Sequence, residues 1–275
     1  MKKLIFALAL FAPLAAWGQD FNFGARASAE VDYKIVKGLH ISAGEELRMA
    51  DNFAGLGSLR TSVGLSYKPL KFLKVGVGYI LINPYKINKE LDPDVYYSGF
   101  WAPKHRVYGD VAGSVKFGAF QFTLKERLQL THNSYAGLNT YQSTRNVLGL
   151  KSKLTVKYKG LRTFQPYLAF EIRAALNDPW GTASGEAQLT GQSKRTYYYY
   201  TPAGYTHAYI NRYRVELGGD IIFSRQHSLQ PYLLLDYLND YVIDTNADGN
   251  RIFTDNTGWE NSFCGIFGIQ YSFSF

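Results

Sequence analysis

The sequence predicts an all-β fold, a transmembrane antiparallel up-and-down β-barrel of about 10–12 strands. Three observations predict it. The C-terminal run alternates: Phe263, Phe267, Ile269, Tyr271, Phe273 and Phe275 share one face, while Cys264, Gly268, Gln270, Ser272 and Ser274 share the other. This is the period of two that a strand imposes on its side chains. Segments of the same kind, each long enough to cross a bilayer as a tilted strand, recur along the chain. Their connections alternate between short and long.

The N-terminus reads as an export signal. Met1-Lys2-Lys3 is basic, Leu4 to Ala16 is apolar, and Ala16-Trp17-Gly18 places small residues at a cleavage site after Gly18. Residues 1–18 are therefore expected to be a signal peptide and residues 19–275 the barrel. The apolar stretch is shorter than the roughly 20 residues a spanning helix requires. No later segment is long and apolar enough for one, so a membrane location requires strands.

Eleven strands are expected in order: Phe21–Ile35, Leu39–Ala50, Ser58–Lys68, Phe72–Asn83, Lys104–Lys116, Phe120–His132, Arg145–Tyr158, Phe164–Leu176, Tyr209–Phe223, Leu229–Tyr241 and Glu260–Phe275. The sixth shows the pattern well. Phe120, Phe122, Leu124, Leu128 and Leu130 alternate with Gln121, Thr123, Lys125, Arg127 and Gln129. Short connections fall at Val36–Gly38, Pro69–Lys71, Gly118–Ala119, Lys159–Thr163 and Ser224–Ser228. Long ones fall at Asp51–Gly57, Pro84–Pro103, Asn133–Thr144, Asn177–Ala208 and Val242–Trp259. Short periplasmic turns and long extracellular loops are the outer-membrane arrangement. The count conflicts with an even-stranded barrel whose two ends are both periplasmic. That predicts that Phe21–Ile35 hides two strands or fails to span, or that a strand is missing from the eleven. The terminal Phe275 resembles the signal read by the outer-membrane barrel assembly machinery.

Composition agrees. The mean hydropathy of −0.19 looks soluble, as it does when only every second residue meets lipid. The single cysteine, Cys264, excludes an intramolecular disulfide framework. The net charge of +8 does not indicate nucleic acid, because Lys and Arg alternate with apolar residues along strands. A basic interior and basic turns beside anionic lipid account for it.

The face expected to line the interior is heavily charged. It includes Arg26, Glu30, Glu46, Arg48, Arg60, Arg106, Arg127, Glu171, Arg173, Arg212, Arg214 and Glu216. Two readings follow: a salt-bridged filling that holds a narrow barrel together, or a small aqueous pore that prefers anions.

Short charged motifs repeat within strands: Glu45-Glu46-Leu47-Arg48, Glu126-Arg127-Leu128, Glu171-Ile172-Arg173 and Arg212-Tyr213-Arg214-Val215-Glu216. In these the chain resembles the uncharacterised outer-membrane barrel family known as domain of unknown function 2490, which repeats Glu-x-Arg and Arg-x-Arg elements. The resemblance covers most of the mature chain. It implies an outer-membrane barrel and no particular activity.

Three further features carry candidate chemistry. Asp244, Asn246, Asp248, Asn250 and Asp255, with Gly249 at the sixth position, have calcium-loop spacing. Asp at position twelve and Arg251 at position eight depart from that pattern, so any site is expected to be weak. Turn chemistry alone also favours such a segment. His132 and Ser134, with Asn146 downstream, resemble the catalytic residues of the outer-membrane phospholipase A family, in which Ser is nucleophile, His general base and Asn its orienter. The Asn-Gly of that family is replaced here by Tyr135-Ala136. The Tyr197–Tyr200 run in the longest loop is suited either to ligand stacking or to the aromatic belt of the membrane interface.

The sequence thus points to a non-enzymatic outer-membrane barrel, structural or passing small solutes. Its expected partners are lipid and the assembly machinery, and no cofactor is expected beyond a weak calcium ion. A phospholipase-like hydrolase and a loop-mediated adhesion or ligand-binding barrel are the alternatives.

Overall fold

A computed structural model of the chain describes residues 21–50, 52–53, 55–87, 99–134, 146–177, 185–186, 188–189, 196–197, 208–248 and 251–275. Eleven strands form a closed wall: β1 (Phe21–Val36), β2 (Leu39–Ala50), β3 (Gly55–Leu70), β4 (Leu73–Ile87), β5 (Lys104–Phe117), β6 (Phe120–Asn133), β7 (Asn146–Tyr158), β8 (Phe164–Ala175), β9 (Tyr209–Ile222), β10 (His227–Asp248) and β11 (Arg251–Ser274). Each pairs antiparallel with the next in sequence. Gly99–Trp101 adds to the edge of β4 and Gly185–Glu186 to β11.

The wall closes where β1 pairs parallel with β11, from Phe21 opposite Phe263 to Asp32 opposite Ser274. This corrects the expectation of a purely antiparallel barrel. It also removes the counting conflict: Phe21–Val36 is one full strand running in the same direction as β11, and it does not hide two. A parallel seam is how an odd number of strands closes without leaving an edge unpaired.

A second correction concerns Val242–Trp259, expected as a loop. The backbone continues as a ladder through Asp248 opposite Arg251, with a register shift between Asp244 and Thr245. Val, Ile, Thr and Phe in this stretch favour extended pairing, and the ladder satisfies the backbone groups.

Two of the tight turns depend on glycine. Gly38 has φ 84° and Gly118 φ 57°, in the left-handed region open to glycine without steric cost. At the opposite end, Asn52 joins β2–β3 to the seam strand. Its amide donates to Phe23 O at 3.1 Å and its Oδ1 accepts from Phe23 N at 2.8 Å.

The burial pattern is inverted relative to a water-soluble domain. Among the described residues, nine polar or charged side chains are buried, including Asp110, Glu171, Arg214 and Asp236, against seven hydrophobic ones. The exterior displays Phe23, Val31, Val63, Val77, Val111, Leu124, Leu128, Leu168, Leu217 and Phe267 as a continuous apolar surface. A soluble monomer does not expose a patch of that extent, and the surface is consistent with a transmembrane barrel. Inside, tyrosine rings cover glycines on neighbouring strands. Tyr108 lies on Gly78, Tyr167 on Gly218 and Tyr232 on Gly268, each across a paired register position.

Candidate functional site: the barrel interior

Alternation along each strand carries the charged residues inward, and pairing brings opposite signs within reach. Arg214 is the centre of one cluster. Its Nη1 donates to Glu171 Oε1 at 3.1 Å and its Nη2 to Asp236 Oδ2 at 2.8 Å. Lys151 Nζ lies 3.4 Å from Glu171 Oε1, and Arg212 Nε lies 3.4 Å from Asp236 Oδ1. The second of these falls within ion-pair distance but lacks hydrogen-bond geometry, since both atoms are buried without a hydrogen-bond partner. Arg173 Nε donates to Asn211 Oδ1 at 2.8 Å.

A second cluster skips a strand. Lys153 on β7 reaches Glu216 on β9 at 2.9 Å, and Lys157 reaches Asp220 at 2.5 Å. Tyr167 on the intervening β8 donates its hydroxyl to Glu216 at 2.7 Å, and Gln230 donates to Asp220 at 3.0 Å. A third cluster is built on Asp110, which accepts from Arg127 Nη2 at 2.7 Å and pairs with Lys125 at 3.0 Å. The Arg127 guanidinium also stacks 3.8 Å from the Tyr108 ring centroid, a cation–π contact.

On the seam side, Arg48 Nε donates to Glu46 Oε1 at 2.5 Å, and Arg60 Nε lies 3.8 Å from that same oxygen. Arg106 donates from Nε to the neutral Thr131 hydroxyl at 2.8 Å. Glu30 accepts from Gln270 at 3.2 Å, and His40 meets Asp32 at 2.7 Å. Arg26 lines a cavity with Glu46 and Arg214. Among the described residues the interior holds cavities of about 360, 210 and 260 Å³, the first two sharing Glu46 and Gln270 and the last two Glu30 and Arg127.

Of the inward residues expected from alternation, Glu46, Arg48, Arg60, Arg127, Glu171, Arg212, Arg214 and Glu216 belong to ion-paired groups, while Glu30, Arg106 and Arg173 bond to Gln270, Thr131 and Asn211. Alternation also places two carboxylates outside, which a listing of inward residues passes over. Glu45 and Glu126 face outward, and Glu126 Oε2 accepts from Ser152 Oγ at 2.5 Å. The signal was in the sequence: adjacent charged residues in one strand, Glu45-Glu46 or Lys125-Glu126-Arg127, cannot share a face. The interior tyrosines and Gln230 and Gln270 were likewise not singled out, because uncharged polar residues carry no pairing signal.

At the opposite end from the short turns, His132 Nδ1 and Asn146 Oδ1 lie 2.8 Å apart across β6 and β7. Ser134 follows in an exposed turn; among the described residues it makes no hydrogen bond to His132. Of the calcium-spaced residues, Asp244, Asn246 and Asp248 lie on β10 and Asp255 on β11, in the hairpin ladder. Asn250 and the side chains of this hairpin tip lie outside the described residues, as do residues 1–20. Among those described, no group of three or more His, Cys, Asp or Glu side chains assembles as metal ligands. Of the tyrosine run, Tyr197 is described, in a short ladder of Thr196–Tyr197 with Gln188–Leu189.

The short turns are basic, with Lys37, Lys71, Lys159, Arg162 and Arg225. Partial burial, and then the charges of Lys157 and Lys116, pull the Lys159 ammonium below its ordinary pKa.

No curated protein matches the chain. The model of the family described as protein of unknown function (DUF2490) matches residues 23–190, more than half of the chain and nearly all of β1 to β8, and the chain belongs to that family.

Proposed function

We propose that the protein is a non-enzymatic outer-membrane barrel whose narrow, charged interior admits small solutes. The observation that carries this reading is the inverted burial: an apolar exterior around an interior of ion-paired side chains and cavities. In this reading residues 1–18 direct export, and Phe275 is the residue the assembly machinery recognises. The short turns face the periplasm, where Lys37, Lys71, Arg162 and Arg225 meet anionic headgroups. The longer connections face outward. Cations outnumber carboxylates near Arg106, Arg173 and Arg212, which favours anions over cations.

Planar-bilayer recording of the refolded mature protein tests this. Small anion-selective steps are expected, and Arg212→Gln is expected to shift the reversal potential toward cations. A folded barrel that stays electrically silent would exclude the conducting role.

The 2.8 Å contact between His132 and Asn146 favours a second reading, a lipid hydrolase with Ser134 as nucleophile. Hydrogen bonding at Nδ1 would orient the imidazole and leave Nε2 for the serine. That reading requires phospholipid hydrolysis by the wild-type barrel and its loss in Ser134→Ala; equal rates in both would remove it.

A further inference from the structure

We propose that the 210 Å³ cavity on the inner wall, lined from β1 to β7 and by β11, is a binding site for a small, dissolved, multivalent oxyanion, held chiefly by the guanidinium groups of Arg60 and Arg106. The site rests on the charged interior described above but does not require the barrel to conduct.

Five cations line this cavity, Arg48, Arg60, Arg106, Arg127 and Lys151, together with Glu30, Glu45 and Glu46. Glu30 accepts from the neutral Gln270 at 3.2 Å. Three of the cations are already committed. Arg48 holds Glu46 at 2.5 Å, Arg127 holds Asp110 at 2.7 Å, and Lys151 lies 3.4 Å from Glu171. Arg60 has only the far side of a carboxylate oxygen already bound to Arg48, 3.8 Å away, and its Nε is buried without a hydrogen-bond partner among the described residues. Arg106 is bonded through Nε to a neutral hydroxyl. Two guanidinium groups thus face one cavity with no carboxylate of their own.

Unpaired charge withdrawn from bulk water is costly unless a counter-charge with matching hydrogen-bond acceptors enters. Guanidinium forks match the oxygens of phosphate and carboxylate groups. Two guanidinium groups on one cavity, neither with a carboxylate of its own, favour a multivalent ion over chloride. The lining includes Ser62 and Gln129, and no aromatic ring. It offers hydrogen bonds to an oxyanion and no platform on which a nucleobase could stack.

Isothermal titration of the folded barrel in detergent, at fixed ionic strength, with pyrophosphate and separately with chloride, tests the proposal. Saturable pyrophosphate binding is expected, with chloride giving none. Arg60→Gln and Arg106→Gln are each expected to weaken pyrophosphate roughly tenfold or more, and Arg60→Lys, which keeps the charge and loses the fork, by less. Heat-modifiable gel migration identifies variants that have folded. Wild-type protein that shows no preference for pyrophosphate over chloride overturns the site without any variant, and unchanged affinity in folded Arg60→Gln and Arg106→Gln does the same. Saturable binding by a barrel that is silent in bilayers supports the site while removing the conducting role. Conductance together with no pyrophosphate binding removes the site and leaves that role standing.

Discussion

Ser152 donates a hydrogen bond to Glu126 at 2.5 Å on the outer face of the barrel, in the middle of β6 and β7, where lipid tails would surround both. A carboxylate surrounded by lipid is destabilising, and the hydrogen bond from Ser152 moderates that penalty. Glu126→Leu is expected to stabilise the folded barrel by about 1–2 kcal/mol. Ser152→Ala is expected to destabilise it by about 1 kcal/mol. Urea unfolding in lipid vesicles measures both; a loss of stability in Glu126→Leu would assign the glutamate a contact with something other than lipid.

Arg214 bridges Glu171 and Asp236 from β9 to its two neighbours. Removing it leaves two buried carboxylates facing one another. Arg214→Met is expected to lower stability by about 3–5 kcal/mol. Adding Asp236→Asn should restore part of that loss, because the pair is coupled. Additive losses in the double variant would count against the bridge.

The Tyr232 ring lies on Gly268 of the adjacent strand, so a side chain at 268 would occupy the space of the ring. Gly268→Val is expected to cost about 1–3 kcal/mol by displacing that ring. Tyr232→Ala in the same chain should make the valine nearly neutral. Unfolding midpoints of the three variants decide this.

The seam offers a fourth test. Phe275 donates its amide to Asp32 O at 2.9 Å and sets its ring edge-on to Tyr33 with centroids 5.9 Å apart. Deleting Phe275 is expected to destabilise the folded barrel by about 1–2 kcal/mol through loss of these two contacts and of its edge-on packing against Phe273, with centroids 4.4 Å apart. Tyr33→Ala should lose only the aromatic share, about 1 kcal/mol. Equal effects would mean that the terminal hydrogen bond contributes little.

The strands were legible because an apolar outer face and a charged inner face impose a strict period of two, as in Phe120–Leu130. Closure was not. Antiparallel neighbours announce themselves through short turns such as Val36–Gly38, whereas β1 and β11 meet across the whole length of the chain, where no local signal can act. The hairpin tip was misread for a related reason. Asp244, Asn246, Asp248 and Gly249 carry turn chemistry, but Ile243 and Thr245 alternate with Asp244 and Asn246, Ile252 and Phe253 stand on the facing strand, and pairing between the two strands prevailed. In the interior, alternation identifies which charges face inward. It does not identify partners such as Lys153 and Glu216, which lie two strands apart and meet only because the wall curves.

A parallel seam also separates the chain ends. In an even-stranded barrel the first and last residues share a rim, and a few residues suffice to fuse them. Here Phe21 stands opposite Phe263 and Asp32 opposite Ser274, so the start of β1 lies a dozen residues, on the order of 40 Å, from the end of β11. Circular permutants of this barrel require a linker long enough to run the height of the wall. Tags placed at residue 21 and at residue 275 would emerge at opposite ends of the barrel.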